Sequence, residues 1–175
     1  KPEVSGELDL PGYSSDVAAD TLRGLAAVAA GDAGLHIVDV SDPAAPLRLQ
    51  SVALPEGASR VELRDGFAYV ASGTNIAVVD LVTGEPRSLL SLSNLGGSTL
   101  TEVAIDGSTL YTLDSNRTLR AITILGDQLT PTGALTLSTA AASLFVGGGI
   151  AYVGAGSGFQ QGFSTVNVRN QADLK

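Results

Sequence analysis

The chain has 175 residues, 44% of them hydrophobic and 16% charged, and a net charge of −8, which fits an ordinary globular domain with a sizeable core. It holds no Cys, so a disulfide framework and a thiolate metal site are both excluded, and no apolar run approaches the ~18 residues of a membrane-spanning helix. The eight Arg are scattered and the two Lys are Lys1 and Lys175; a phosphate backbone needs a basic stripe, so nucleic acid is not expected as a partner and the acidic surface reads as a solubility device.

In chain order, the first apolar run is Pro-led, over residues 2–10. With no Met anywhere and an opening Lys1-Pro2-Glu3, the chain is expected to be processed or cut from a longer one. Residues 18–30 come next and have a helical composition. Within them, however, Gly24-Leu25-Ala26-Ala27-Val28-Ala29-Ala30-Gly31 recurs 42 positions on as Gly66-Phe67-Ala68-Tyr69-Val70-Ala71-Ser72-Gly73. The second copy has evident strand composition, so the first is read as strand too. The following run, Leu35-His36-Ile37-Val38-Asp39-Val40, returns as Ile76-Ala77-Val78-Val79-Asp80-Leu81, as Leu119-Arg120-Ala121-Ile122-Thr123-Ile124 and as Phe163-Ser164-Thr165-Val166-Asn167-Val168.

The second repeat parses into runs at 47–54, 59–63, 67–71 and 75–81, separated by Pro55-Glu56-Gly57, Arg64-Asp65-Gly66 and Ser72-Gly73-Thr74. Asp65-Gly66 and, one repeat later, Asp106-Gly107 are tight-hairpin signals, because Gly accepts the positive φ that such turns demand. Tyr69, Tyr111 and Tyr152 stand 42 and 41 apart between apolar neighbours, and Pro2, Pro46, Pro86 and Pro131 mark the phase. The three Tyr are expected at one repeated strand position, at least half buried.

Four short antiparallel strands per 40–45 residues, repeated, are the signature of propeller blades. The expected fold is all-β, a β-propeller of four repeats of about 43 residues at 2–45, 46–85, 86–130 and 131–175, forming one module over 1–175. A stacked solenoid or a β-sandwich is the runner-up, but a sandwich does not explain the repeat.

With the repeats laid out, Gly34-Leu35-His36-Ile37-Val38-Asp39-Val40-Ser41-Asp42-Pro43-Ala44-Ala45-Pro46 closely resembles the consensus of the LVIVD-repeat propellers. The third repeat departs from it with Ala121-Ile122-Thr123-Ile124, and the fourth with Thr165-Val166-Asn167-Val168 and a longer hairpin over 154–162. The resemblance implies a propeller of bacterial or archaeal surface and secreted proteins, in keeping with the missing Cys. It also implies that the second run of each repeat is the innermost strand, beside a central channel. It implies no catalytic residues.

Candidate site residues are few. Val17, Val61, Val103 and Leu144 align on the inner run, and the residues before them are Asp16, Arg60, Glu102 and Ser143. These four form a channel ring that either holds a small polar ligand or cation or is simply solvated, with Arg60 paired to an acidic neighbour. At the fourth repeat, Phe159, Gln160 and Gln161 mark a Gly-rich hairpin tip suited to sugar or protein contact. That loop lacks the Lys-Ser/Thr ending and the following helix of a phosphate loop. Asp39, Asp80, Thr123 and Asn167 share one position, where turn capping is expected over cation ligation. His36 aligns with Ala77, Arg120 and Ser164 and is expected to face water at least in part. With one His and no Cys, neither a metal nor a cofactor is expected.

The function these features imply is a non-enzymatic binding or structural module, extracellular or on the cell surface, contacting protein or carbohydrate in adhesion or matrix assembly. The alternative is a propeller-type enzyme such as a lyase, lactonase or glycosidase, with its site at the channel mouth. Such sites gather His, Tyr, Arg and carboxylates, and the scarcity of His here favours the binding module. Fold alone separates neither. Residues 2–10 read as a strand without an earlier partner in their own repeat. Either they pair with 163–168 and close a four-bladed ring, or the chain is part of a larger ring completed by further blades of the same parent chain or of another subunit.

Overall fold

In a computed structural model of the chain, residues 1–138, 141–155 and 162–174 are described. Strands β1 (Asp16–Asp20), β2 (Leu25–Ala29), β3 (Leu35–Asp39) and β4 (Leu47–Val52) form a first sheet. A second holds β5 (Arg60–Arg64), β6 (Phe67–Ser72), β7 (Asn75–Asp80) and β8 (Pro86–Ser91). The third holds β9 (Leu100–Asp106), β10 (Thr109–Asp114), β11 (Thr118–Leu125) and β12 (Gln128–Thr136), and the fourth β13 (Ser143–Gly147), β14 (Ile150–Gly154) and β15 (Phe163–Asn167). Each sheet is a meander of sequential neighbours. Two compact units, Lys1–Leu89 and Leu90–Lys175, divide the chain within β8.

Turn chemistry sets the hairpins. Asp65 and Gly66 both have positive φ, 51° and 85°, and Arg64 pairs with Phe67, a type I′ turn whose twist matches its strands. In the third sheet Asp106 still pairs, opposite Thr109. The turn there is Gly107-Ser108, with φ 57° at the glycine, one residue beyond the expected Asp106-Gly107 pair.

Alternation then assigns the faces. In the first unit Ala27, Ala29, Leu35 and Ile37 pack with Val61, Ala68, Val70, Ala77 and Val79. In the second, Tyr111, Leu113, Leu119 and Ala121 pack with Val146, Ala151, Val153 and Val166. Burying such side chains stabilises by about 25 cal/mol per Å2 of apolar surface. Residues 18–30 are strand, split as β1 and β2. The three Tyr occupy equivalent places in β6, β10 and β14, with Tyr69 at 0%, Tyr111 at 3% and Tyr152 at 43% exposure.

The sheets are offset from the sequence repeats. β4 lies after Pro46, yet it pairs with β3, Val52 opposite Leu35 and Leu47 opposite Asp39. In the same way β8 opens on Pro86, and β12 carries Pro131 at a bulge opposite Ile122, a position that needs no ladder N–H. The last strand of each of these sheets therefore comes from the repeat that follows.

Among the described residues the fourth sheet has three strands, with β15 hydrogen-bonded to β14, and one expectation is corrected. Residues 2–10 are not a strand. They carry the strand pattern but lack the hydrogen-bonded neighbour that defines one, and Val4 is 74% exposed.

Candidate functional site

The inner-strand residues occupy equivalent register positions. Asp16 stands opposite Ala29, Arg60 opposite Ala71, Glu102 opposite Leu113 and Ser143 opposite Gly154, each on the first strand of its sheet. Within the first unit β1 lies against β5. Asp16 Oδ2 accepts the Val61 N–H at 2.9 Å and Oδ1 accepts its neighbour Val17 N–H at 2.9 Å. Arg60 Nη1 donates to the Ser59 carbonyl at 2.8 Å. Asp16 thus serves as a backbone bracket between two sheets. In the second unit β13 lies against β9; Glu102 is half-buried and Ser143 exposed.

One residue of this cluster was missed by sequence reasoning. Glu62 follows Arg60 at the two-residue strand period and so shares its face. Burial first, and the Asp16 carboxylate second, push its carboxyl above the usual range. The i, i+2 rule applied to β5 would have found it. Glu62 can hold a proton where an exposed Glu would not.

A second polar feature lies at the hairpin ends of the first two sheets. Ala19, Asp20, Leu22, Arg23, Arg64 and Asp65 line a cleft of about 480 Å3. Arg23 Nη1 meets Asp20 Oδ2 at 2.6 Å and Arg64 Nε meets Asp65 Oδ2 at 2.9 Å; the first pair, led by its hydrogen bond, holds the Asp20 carboxyl below the usual range. Leu22 protrudes at 95% exposure. The signal was the β1–β2 connection, Thr21 to Gly24, which is two residues longer than Asp65-Gly66.

The turn-capping reading holds. Asp39 Oδ1 accepts from Ser41 N–H and Oγ–H at 2.9 and 2.6 Å, Asp80 Oδ1 from Val82 and Thr83 N–H at 2.9 and 3.0 Å, and Asn167 Oδ1 from Arg169 N–H at 3.1 Å. These bonds favour the ionised carboxylate and lower the pKa of Asp39 and Asp80. Thr123 differs: its Oγ1 donates to Gln171 Oε1 at 3.3 Å.

His36 does not face water. It is 1% exposed, with Nε2 2.9 Å from the Pro11 carbonyl and Nδ1 2.9 Å from Ser51 Oγ. A carbonyl only accepts, so Nε2 carries a hydrogen. Its counterpart Arg120 is 3% exposed, with Nη1 2.6 Å from Asp114 Oδ2. The expectation fails because a polar residue at a repeated position need not face solvent: His36 and Arg120 are each buried with hydrogen-bond partners of their own. Phe159, Gln160 and Gln161 lie outside the described residues. Among the described residues no group of three His, Asp or Glu stands close enough to hold a metal ion, and no helix is long and apolar enough to cross a membrane.

Comparison with known proteins agrees with this architecture. The structure is similar to the crystal structure of the computationally designed Ika4 protein, at TM-score 0.72 and 15% identity over 96% of this chain and 99% of that one. It also resembles the designed Ika8 protein, at TM-score 0.64 and 17% identity over 81% of this chain and 42% of the other. The Cps50 (Swd1) β-propeller domain of Myceliophteria thermophila matches at TM-score 0.65 and 11% identity, over 87% of this chain and 55% of that domain. The chain thus spans about half of the latter two. None of the curated proteins matches it in sequence. The sheets are blades of a β-propeller. The LVIVD repeat profile matches residues 11–53 and 57–101, the stretches that carry Leu35-His36-Ile37-Val38-Asp39 and Ile76-Ala77-Val78-Val79-Asp80, and with half of its length so matched the chain belongs to the LVIVD-repeat family.

Proposed function

We propose that this propeller is a non-enzymatic binding module, secreted or displayed at the cell surface, that contacts protein or carbohydrate in adhesion or matrix assembly. One observation carries the reading: the chain's single imidazole, His36, is sealed inside the first blade with both ring nitrogens engaged. An acid–base catalyst must reach substrate, and this one meets Ser51 and Pro11 instead. The exposed groups are those of a contact surface. Leu22, 95% exposed, lines the hairpin-end cleft together with Arg23 and Arg64, an apolar anchor with charged residues in the same lining. The acidic net charge supports solubility, and the family resemblance supports a secreted or surface role.

A panel of surface polysaccharides and intact bacterial cells, probed with fluorescent protein, tests this reading. Saturable binding that weakens about tenfold or more in Leu22→Asp supports it, as expected for a central apolar anchor. Saturable binding unchanged by that substitution moves the contact elsewhere, and no binding to any member of the panel refutes the reading. The second reading is a hydrolase, favoured by the raised Glu62 carboxyl beside Asp16, since a carboxyl that keeps its proton near a second carboxyl group can act as general acid on a glycosidic bond. Sugar hydrolysis abolished by Glu62→Gln, or a stoichiometric divalent ion in the purified protein, would bring it forward.

A further inference from the structure

The second blade leaves open a space that the first and third fill with a side chain. Nine residues after the leading Pro2, Pro46 and Pro86 stand Pro11, Pro55 and Leu95, three equivalent positions of the repeat. In the first blade the His36 imidazole spans from β3 to the Pro11 carbonyl, 2.9 Å from Nε2. In the third the Arg120 guanidinium spans from β11 to the Leu95 carbonyl, 3.3 Å from Nη2. His36 is 1% exposed and Arg120 3%, so each is packed between its strand and the segment that precedes its blade.

At the same position of β7 stands Ala77, whose methyl group cannot span to Pro55. A pocket of about 390 Å3 is found there instead. It is lined by Ala53, Leu54 and Pro55 of the β4–β5 connection and by Ala77, Pro86 and Leu89 of β7 and β8. All of these residues belong to the first compact unit. Ala77 is 1% exposed and Leu89 51%, so the pocket runs from the buried third strand to the surface. Its volume lies in the range of small-molecule sites. Ser88 and Arg87 complete the lining, and the Arg87 guanidinium stands 3.3 Å from Glu85 and 4.0 Å from Asp80. With that charge matched by carboxylates of its own, the pocket favours a neutral guest.

The side chains at the equivalent place in the sister blades define what such a guest looks like. Imidazole and guanidinium are both flat, conjugated groups that offer an N–H to the repeated carbonyl. The aliphatic lining rewards an apolar ring surface, and the volume exceeds that of one side chain. We infer that the pocket between the β4–β5 connection and the β7–β8 hairpin binds a free, neutral aromatic molecule of indole size. Its ring lies over Ala77 and its N–H is given to the Pro55 carbonyl. The site is separate from the hairpin-end cleft and does not depend on the reading placed on Leu22.

The chain has no Trp, so the fluorescence of added indole reports its surroundings without a contribution from that residue of the protein. Titrating the protein into indole should give a saturable blue shift as the ring leaves water. Ala77→His places on β7 the residue that fills the space in the first blade, and it should weaken this binding about tenfold or more. If circular dichroism shows that this buried change impairs folding, Ala53→Phe, at an exposed residue of the lining, obstructs the same space and should weaken binding likewise. Indene keeps the shape of indole and lacks the N–H; its competition constant should lie about fivefold above the dissociation constant of indole, as one hydrogen bond implies. The proposal is overturned by the absence of a saturable shift, by a shift that the folded variants leave unchanged, or by indene competing as tightly as indole binds.

Discussion

The second and third blades are built from the same repeat and solve one local problem in opposite ways. Where β6 ends, the Ser72 hydroxyl accepts the Glu56 N–H at 3.2 Å, and the strand opposite carries Ala77. In the third blade, 42 residues on, Asp114 does the same work on a larger scale. Its Oδ1 accepts Asn116 and Thr118 N–H at 3.0 and 2.9 Å, and Oδ2 accepts Ser98 N–H at 3.2 Å. A carboxylate at 0% exposure needs a counter-charge, and Arg120, the counterpart of Ala77, supplies it and also reaches the Leu95 carbonyl at 3.3 Å. A hydroxyl permits an apolar neighbour; a carboxylate enforces a guanidinium. Polar character at a repeated position therefore reports a local pair rather than exposure.

The sharpest way to break this comparison is to remove one member of the pair. Asp114→Ala should lower unfolding free energy by about 3–5 kcal/mol in urea titration, because it leaves Arg120 buried without its counter-charge. Asp114→Ser with Arg120→Ala imports the second blade's solution and should recover a large part of the loss. If the double variant is no better than the single, the two residues are not a unit.

Burial at equivalent positions gives the next effect. Tyr69→Ala, at 0% exposure, should cost about 3 kcal/mol or more by cavity formation. Tyr152→Ala, at 43% exposure, should cost under about 1 kcal/mol. Equal costs would show the fourth blade covered on that face.

Much of this was legible in the sequence. The Tyr spacing located the second strands because a repeat transmits register, and the Asp of the LVIVD segment reads as a cap because its side chain reaches an N–H two residues on. His36 was not legible. Its covering groups, Pro11 and Ser51, lie 25 and 15 residues away, and only the fold brings them together. Residues 2–10 show the converse: the pattern for a strand is present, but a strand is a relation between two segments, and the sequence of one does not contain the other.

His36→Ala comes third. Removing the buried ring that ties the Pro11 carbonyl to the Ser51 hydroxyl leaves a small cavity and should cost about 1–3 kcal/mol, and amide exchange over residues 12–15 should accelerate. Unchanged exchange there would mean that the imidazole does not anchor the segment.

The smallest effect has the opposite sign. Because burial raises the Glu62 pKa, folding favours its protonated form, so ionisation at neutral pH costs stability. Glu62→Gln should raise Tm at pH 7, and the gain should vanish as pH falls below the ordinary Glu range, where both forms are neutral. A gain that persists in acid would point to packing instead of charge.

The offset between repeats and blades has a consequence for how such rings change size. Because each repeat starts with the closing strand of the preceding blade, a stretch of chain cut at repeat boundaries carries one overhanging strand at its start and one recessed edge at its end, like a DNA fragment with matched cohesive ends. Duplicating or deleting a whole repeat leaves both ends unchanged. Blade number can then drift by integers in a lineage without any intermediate acquiring an unmatched junction, and the same pair of ends serves whether the ring is closed by one gene product or by several.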